Sequence, residues 1–225
     1  EAAARPDGIK RVRLGSLEPD HMSDSVLKRL KAQKKFCPQF HLSLQSGCDE
    51  TLKRMNRHYD TAFYRDLVSR IRTVFEDASV TTDVMVGFAG ETEEEFAQLC
   101  EFVRAVRFER MGCFAYSTEE DTPAGEREDQ IDPEVRRHRA DLIMEEQMDI
   151  AFDLGKSLVG KKLEVLVEGY DDEQQMYVGR SYMDAPDIDT KTSFVTESED
   201  IKPGDLVWVE ILDSVGYDLN GRQVL

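Results

Sequence analysis

Short apolar runs alternate with longer amphipathic stretches in the amino-terminal part of the chain. The runs at 11–17, 40–44, 80–86 and 111–116 are rich in β-branched and aromatic residues and predict four strands. The stretches between them place apolar residues three and four positions apart, which is the period of a helix packed on one face. This alternation is typical of βα units with a parallel sheet, so we expect an α/β fold over residues 11–157.

Two helix starts are marked clearly. Thr92 and Glu95 have the spacing of a capping box, in which each side chain bonds the backbone of the other residue. Asp132 followed by Pro133 is a favourable N-cap and first helical residue. We expect a long connecting helix from this point, with Gly160 permitting its end.

The hydrophobic period changes to two after about Leu163. Alternating runs at 163–168, 176–182 and 206–211 are separated by turn residues. This pattern predicts a small antiparallel β domain at 158–225, with Trp208 in its core.

The charge balance limits the partners of the protein. The chain has 46 acidic and 29 basic residues, a formal net charge of −17, and residues 158–225 contribute 15 acidic and six basic residues. This acidity disfavours bulk attraction to nucleic acid. No apolar run approaches the roughly 20 residues that cross a bilayer, so we expect a cytoplasmic protein without a membrane partner.

The cysteines are spaced too widely for a zinc site or a CxxxCxxC cluster loop. We expect Cys37, Cys48, Cys100 and Cys113 to be reduced, buried or half-buried thiols, and we expect no metal site in this chain. The four histidines also have no partners at metal-ligand spacing, and we assign them no function.

Ligands of parallel sheets bind at the carboxyl ends of the strands, so the residues after each apolar run are candidates. The turn at 87–91 has Gly87 and Gly90 before the capped helix, which lets a ligand approach the backbone closely. The lack of a GxxxxGK[ST] pattern and of a lysine in this turn disfavours a nucleotide triphosphate site. An ordinary tight turn remains the alternative.

The loop after the second run contains Gln45 and Ser46, which could bind hydroxyl groups or a carboxylate. Asp49 is expected to cap a helix at 50–57. The residues alone do not decide between a ligand site and a structural loop.

Several long stretches resemble radical S-adenosylmethionine methylthiotransferases. HLSLQSGCDETLKRMNRHY (41–59), TTDVMVGFAGETEEEF (81–96) and FAYSTEEDTPA (114–124) are similar to the second half of the barrel in that family. LVGKKLEVLVEG (158–169), YVGRSYMDAPDID (177–189) and KPGDLVWVEILDSVGYDLNG (202–221) are similar to the TRAM domain of its ribosomal-protein branch. The resemblance implies a partial radical S-adenosylmethionine (TIM-like) barrel followed by a TRAM/OB-like barrel.

The resemblance also implies a cofactor site. The family uses S-adenosylmethionine, cleaved to a 5′-deoxyadenosyl radical by a reduced [4Fe–4S] cluster. No acid–base residue can be assigned as catalytic. The implied cofactor contacts are Gln45, Ser46, Asp83, Met85, Val86, Gly87, Gly90 and Glu91.

The CxxxCxxC motif of the family is absent, so the cluster ligands are expected outside this chain. We therefore expect a carboxyl-terminal part of such an enzyme, inactive by itself. Residues 1–10 are interpreted as a linker, since the opening EAAAR is typical of a helical spacer.

The implied substrate differs along the chain. The stretch at 45–59 resembles the branch that modifies threonylcarbamoyladenosine in tRNA, whereas the stretch from about Arg110 onward resembles the branch that modifies an aspartate of ribosomal protein uS12. We favour uS12, with Asp184, Asp187 and Asp189 docking this basic protein. The alternatives are tRNA and a binding module without catalysis. The oligomeric state is left open.

Overall fold

The structure is a computed structural model that describes residues 1–186, 189–198 and 200–224. The chain divides into two compact units, Glu1–Ile150 and Ala151–Leu225. The first unit is an α/β unit with a parallel sheet, and the second is a small closed β-barrel, as the sequence predicts. Among the described residues, no helix is long and apolar enough to cross a membrane.

The first unit contains four parallel strands in the order in which they occur along the chain. The strands are β1 (Ser16–Leu17), β2 (Gln39–Leu42), β3 (Ser79–Val86) and β4 (Arg110–Ala115). The helices are α1 (Asp24–Lys31), α2 (Asp49–Arg54), α3 (Thr61–Val74), α4 (Glu93–Val106) and α5 (Pro133–Lys156). Strand β1 is shorter than predicted, and Val12 forms only an isolated bridge with Phe36.

The local helix signals are confirmed at α4 and α5. The Thr92 hydroxyl accepts a bond from the Glu95 N–H, and a Glu95 carboxylate oxygen accepts from the Thr92 N–H. The Asp132 carboxylate accepts from the Glu134 N–H at 2.7 Å, so Asp132 caps α5 as predicted. Helix α5 ends at Lys156, four residues before the Gly160 expected to end it.

The predicted cap at Asp49 is wrong. Cys48 occupies the N-cap position of α2, and Asp49 is its first helical residue. The Asp49 carboxylate instead accepts a bond from the Thr61 N–H at 2.8 Å, at the start of α3. Asp49 therefore links the two helices because the chain turns sharply between them.

The sheet of the first unit has two chemically different faces, because successive side chains of a strand point to opposite sides. One face is apolar and fully buried, with Phe40, Leu42, Val80 and Val84. The other is polar and partly open. We call it the polar face; its residues are Gln39, His41, Thr81, Asp83, Met85, Gly112 and Phe114.

The second unit closes in the strand order β5-β6-β7-β9-β8. Its strands are β5 (Lys162–Asp171), β6 (Met176–Arg180), β7 (Thr192–Val195), β8 (Leu206–Val215) and β9 (Asp218–Val224). The pairing is antiparallel except between β7 and β9, which are parallel. The sequence pattern predicts β5, β6 and β8 but not β7 or β9. Buried residues such as Val165, Phe194 and Val209 form the barrel core.

Candidate functional site

The loop after β2 is tied directly to β3. Gln45 has a φ of 69°, a left-handed conformation that few residues other than glycine adopt. Its N–H donates to the Asp83 carbonyl at 3.0 Å, and its carbonyl accepts from the Met85 N–H at 2.9 Å. The structure therefore brings together two strand ends that the sequence analysis selected separately.

The Ser46 hydroxyl is directed into its own loop. Ser46 is buried, and its oxygen accepts a bond from the Cys48 N–H at 3.3 Å. A Cβ atom at the adjacent Gly47 would lie 2.7 Å from the Cβ of Phe102, so this loop packs closely on α4. A contact of Ser46 with the cofactor stays a prediction.

The turn at 87–91 is held by a buried carboxylate. Glu91 is 3% exposed, and its Oε1 accepts from the Gly87 N–H at 2.8 Å and from Arg139 Nη1 at 2.7 Å. Burial raises the pKa of Glu91, although both bonds oppose this shift. The carboxylate of Glu91 thus bonds its own turn and α5.

The two glycines of this turn are explained by packing within the chain. Gly87 has a φ of 70°, and a Cβ there would lie 2.3 Å from Cγ of Arg136. Gly90 has a φ of 78°, and its Cβ would lie 2.5 Å from Oδ2 of Asp129. Packing on Arg136 therefore explains the glycine at position 87, and the positive φ explains the one at position 90. A cofactor contact of the turn stays a prediction.

The predicted contacts on β3 point to different sides. Asp83 and Met85 lie half-buried on the polar face, where a ligand could reach them. Val86 is fully buried on the apolar face, and its carbonyl accepts from the Tyr116 N–H at 2.9 Å. Only the first two side chains are placed to contact a ligand.

Phe114 is a candidate that the sequence analysis missed. It lies on β4 directly opposite Met85, and 59% of its surface is exposed. An exposed aromatic ring beside a half-buried methionine offers an apolar surface to a planar ring. Phe114 lies near the end of a predicted strand, and the alternation of side chains along that strand could have indicated that it faces the site.

His41 has partners that its position in the sequence does not reveal. Its Nε2 lies 3.4 Å from Oδ2 of Asp83, and its Nδ1 lies 3.0 Å from Oγ1 of Thr81. The same Thr81 oxygen accepts a hydrogen bond from Gln39 Nε2 at 2.9 Å. A connected set of polar groups therefore crosses β2 and β3 on the polar face.

The chemistry of the polar face fits S-adenosylmethionine. The half-exposed carboxylate of Asp83 can accept hydrogen bonds from an ammonium or ribose hydroxyl group, and Met85 with Phe114 can contact the apolar part of the molecule. Gly112 lies opposite Asp83, where a Cβ would be 2.6 Å from Oδ1, so the absence of a side chain leaves room for the carboxylate.

The cysteines do not fit an iron–sulfur cluster. Cys37, Cys48 and Cys100 are buried, Cys113 is half-buried, and none of these four thiols forms a disulfide bond. Burial raises the pKa of Cys113 to about 12, so it is a thiol at neutral pH. In the ranges that the structure describes, no three His, Cys, Asp or Glu residues are arranged to hold a metal ion.

The acidic loop of the barrel unit is only partly available to a partner. Asp184 is buried, and its carboxylate accepts from the N–H and the hydroxyl of Ser181 at 2.8 and 2.7 Å. Asp189 is half-buried, accepts from the Ala185 N–H at 2.5 Å, and lines an open groove of about 750 Å³. Asp187 lies outside the described residues.

The predicted core position of Trp208 is wrong. This side chain is 53% exposed, whereas its neighbours Val207 and Val209 are buried. Trp208 lies opposite Glu164 on β5 and Val224 on β9, so it is on the outer surface of the barrel. The alternation of β8 decides this, because only every second residue faces the core.

Comparison with known proteins identifies both units. The family model described as the radical SAM superfamily matches residues 1–103, and the TRAM domain model matches residues 159–224. The first match includes residues 1–10, where we expected a linker. A solved structure of coproporphyrinogen III oxidase from Escherichia coli, a radical SAM enzyme, has a TM-score of 0.50 and 20% identity over 64% of this chain and 32% of its own. That likeness concerns the fold alone.

Curated relatives match both units in one alignment. The protein from Lachnoclostridium phytofermentans named ribosomal protein uS12 methylthiotransferase is 40% identical over 96% of this chain and 49% of its own length. Relatives of the same name from Thermoanaerobacter sp. and Bdellovibrio bacteriovorus are 41% and 37% identical over 96% and 100% of the chain. The chain spans about half the length of the curated relatives it matches.

The matched domains occur in the order and at the positions of the two compact units. Relatives about 40% identical extend across both of them. The chain therefore belongs to the radical S-adenosylmethionine methylthiotransferase family.

Proposed function

We propose that this chain provides cofactor-binding strands and the substrate-recognition barrel of an enzyme that transfers a methylthio group to ribosomal protein uS12. The main support is the similarity to uS12 methylthiotransferases across both units, at about 40% identity over 96% of the chain. A ribosomal-protein substrate would also place the enzyme in the cytoplasm.

In this proposal the polar face binds and orients S-adenosylmethionine. When bound beside a reduced [4Fe–4S] cluster, this cofactor supplies radical chemistry through cleavage of its sulfonium group. In this proposal the Asp83 carboxylate accepts hydrogen bonds from the cofactor, and Met85 and Phe114 exclude water from its apolar part. In this proposal, the residues that ligate the [4Fe–4S] cluster are not among those that the structure describes.

The activity can be tested by joining this chain to the amino-terminal half of the uS12 methylthiotransferase of Lachnoclostridium phytofermentans. After anaerobic cluster reconstitution, we expect mass spectrometry to detect one methylthio group on uS12, with the complete relative as the positive control. Modification of tRNA instead would contradict the proposed substrate. A cluster-loaded enzyme that binds S-adenosylmethionine and modifies neither molecule would contradict the proposed function.

The substrate choice rests on charge as well as similarity. The barrel domain at 158–225 has 15 acidic and six basic residues, which favours a basic protein over RNA phosphates. The alternative substrate, tRNA, is supported by the resemblance of residues 45–59 to the tRNA-modifying branch. Direct binding of uS12 and of tRNA to the same chain separates the two.

The acidic loop gives a sharper form of this binding test. We expect Asp187→Lys with Asp189→Asn to slow association with uS12 about tenfold at low salt and to weaken its dependence on ionic strength, because charges at an interface steer the encounter. Asparagine keeps an oxygen for the Ala185 N–H.

The matched control carries Glu76→Lys with Glu94→Gln. It changes the net charge equally at exposed positions of the first unit. Equal slowing by both double variants, measured by stopped-flow kinetics, would rule out a specific role for the loop.

A further inference from the structure

The polar groups beside Asp83 form a connected chain from Gln39 through Thr81 to His41. Gln39 Nε2 donates to Thr81 Oγ1 at 2.9 Å, which leaves the hydroxyl proton of Thr81 free to be donated onward. Nδ1 of His41 lies 3.0 Å from the same oxygen, and the tautomer of His41 decides which of the two atoms donates. A Thr81 hydroxyl that donates to Nδ1 places the ring proton of neutral His41 on Nε2.

In this tautomer the protonated nitrogen of His41 faces the carboxylate of Asp83, which favours it over the tautomer with an unprotonated Nε2. Nε2 of His41 lies 3.4 Å from Oδ2 of Asp83, within the range of an electrostatic contact. The side chains of His41 and Asp83 are 29% and 40% exposed, so neither is enclosed in the core. The imidazole is therefore fixed on one side by Thr81 and contacts Asp83 on the other.

The opposite side of the carboxylate is shaped by β4. Gly112 is the register partner of Asp83, and a Cβ there would lie 2.6 Å from Oδ1. The carboxylate thus extends across the open surface of β4 while its second oxygen faces His41. A side chain at position 112 would fill this space.

We propose that His41 is a positioning residue that holds the Asp83 carboxylate in the orientation needed to accept hydrogen bonds from an ammonium or hydroxyl group of the ligand at the polar face. This inference rests on the proposed function for the identity of that ligand, S-adenosylmethionine. It assigns His41 no contact with the reacting atoms. The carboxylate binds the ligand, and the histidine sets its rotamer.

The arrangement of His41 can be measured in this chain by ¹⁵N NMR of labelled histidine. We expect the tautomer with the proton on Nε2 in the unmodified chain and a mixture of tautomers in Thr81→Val, which removes the donor to Nδ1. Asp83→Asn should shift the Nε2 resonance. A dominant Nδ1–H tautomer in the unmodified chain would overturn the proposal.

The consequence for ligand binding is measured in the joined enzyme described above. We expect His41→Leu to raise the Kd for S-adenosylmethionine about tenfold, because the Asp83 carboxylate loses the contact that orients it. We expect His41→Gln to stay within about threefold, because its amide can still donate near the position of Nε2. His138→Leu, an exposed substitution on α5, is the control and should leave the Kd unchanged.

The outcomes separate this inference from the proposed function. Equal Kd values for His41→Leu and His41→Gln in folded proteins would overturn the positioning role, even where uS12 is modified normally. If the joined enzyme without substitutions binds no S-adenosylmethionine, both the proposed function and the ligand named here are overturned. If the Kd values of the variants follow the expected pattern but no methylthio group is transferred to uS12, the positioning role of His41 is supported and only the proposed substrate is contradicted.

Discussion

Arg139→Met is expected to lower the free energy of unfolding by about 3–5 kcal/mol, because it leaves the Glu91 carboxylate buried without its cationic partner. Arg139 and Glu91 have side chains that are 5% and 1% exposed, and their closest atoms are 2.7 Å apart. Arg139 Nη1 also lies 3.2 Å from the Glu91 carbonyl, which its guanidinium bonds. Urea denaturation followed by circular dichroism measures the loss.

The matched change in the same helix is Arg137→Met. Arg137 is 65% exposed and lies 4.0 Å from Glu134, so its loss should cost less than about 1 kcal/mol. Adding Glu91→Leu to Arg139→Met should restore much of the lost stability, since no buried charge then remains. A single change at Arg139 that costs no more than the control would contradict this account.

The loss at Arg139 should depend on pH in a defined direction. Burial raises the pKa of Glu91 in the folded protein, and removal of Arg139 raises it further by taking away the neighbouring positive charge. A carboxyl group with a raised folded-state pKa contributes stability below its unfolded pKa and loses it as the pH rises through the folded value. The destabilisation should therefore be smaller at about pH 5 than at about pH 8.

Gly221→Val is expected to lower the stability of the barrel unit by about 3 kcal/mol or more, because there is no space for a side chain at this position. A Cβ at Gly221 would lie 2.4 Å from the backbone oxygen of Glu210 and 2.6 Å from Cγ1 of Val209. Both atoms belong to the adjacent strand β8. Backbone of a paired strand cannot move aside without breaking the ladder of hydrogen bonds.

Trp208 reports on this change because it is the single tryptophan of the chain. We expect the fluorescence transition of Gly221→Val to shift to lower urea concentration, while the circular dichroism of the helices in the first unit shifts less. The control is Gly169→Val in β5, where the nearest atom would be 4.0 Å away. If both variants unfold alike, the close approach at Gly221 is not the cause.

The sequence by itself determines those features that depend on neighbouring residues. The capping box of Thr92 and Glu95 involves residues three positions apart, and the helical period buries one face of α4. The continuous apolar run of β3 predicts a strand covered on both faces, whereas Asp83 and Met85 are half-buried on the polar face. The alternation of strands and helices predicts the α/β unit. The sequence pattern does not predict strands β7 and β9, because they contain few of the apolar residues that mark β5 and β8.

Only the tertiary structure decides which distant residues meet. Glu91 and Arg139 are 48 positions apart, and His41 meets Asp83 because the parallel register of β2 and β3 places them on one face. Gly87 and Gly90 look like a ligand turn in the sequence, yet the chain itself packs against both. Periodicity along a strand assigns alternating sides, but the register between strands and the packing of a distant helix decide what each side contacts.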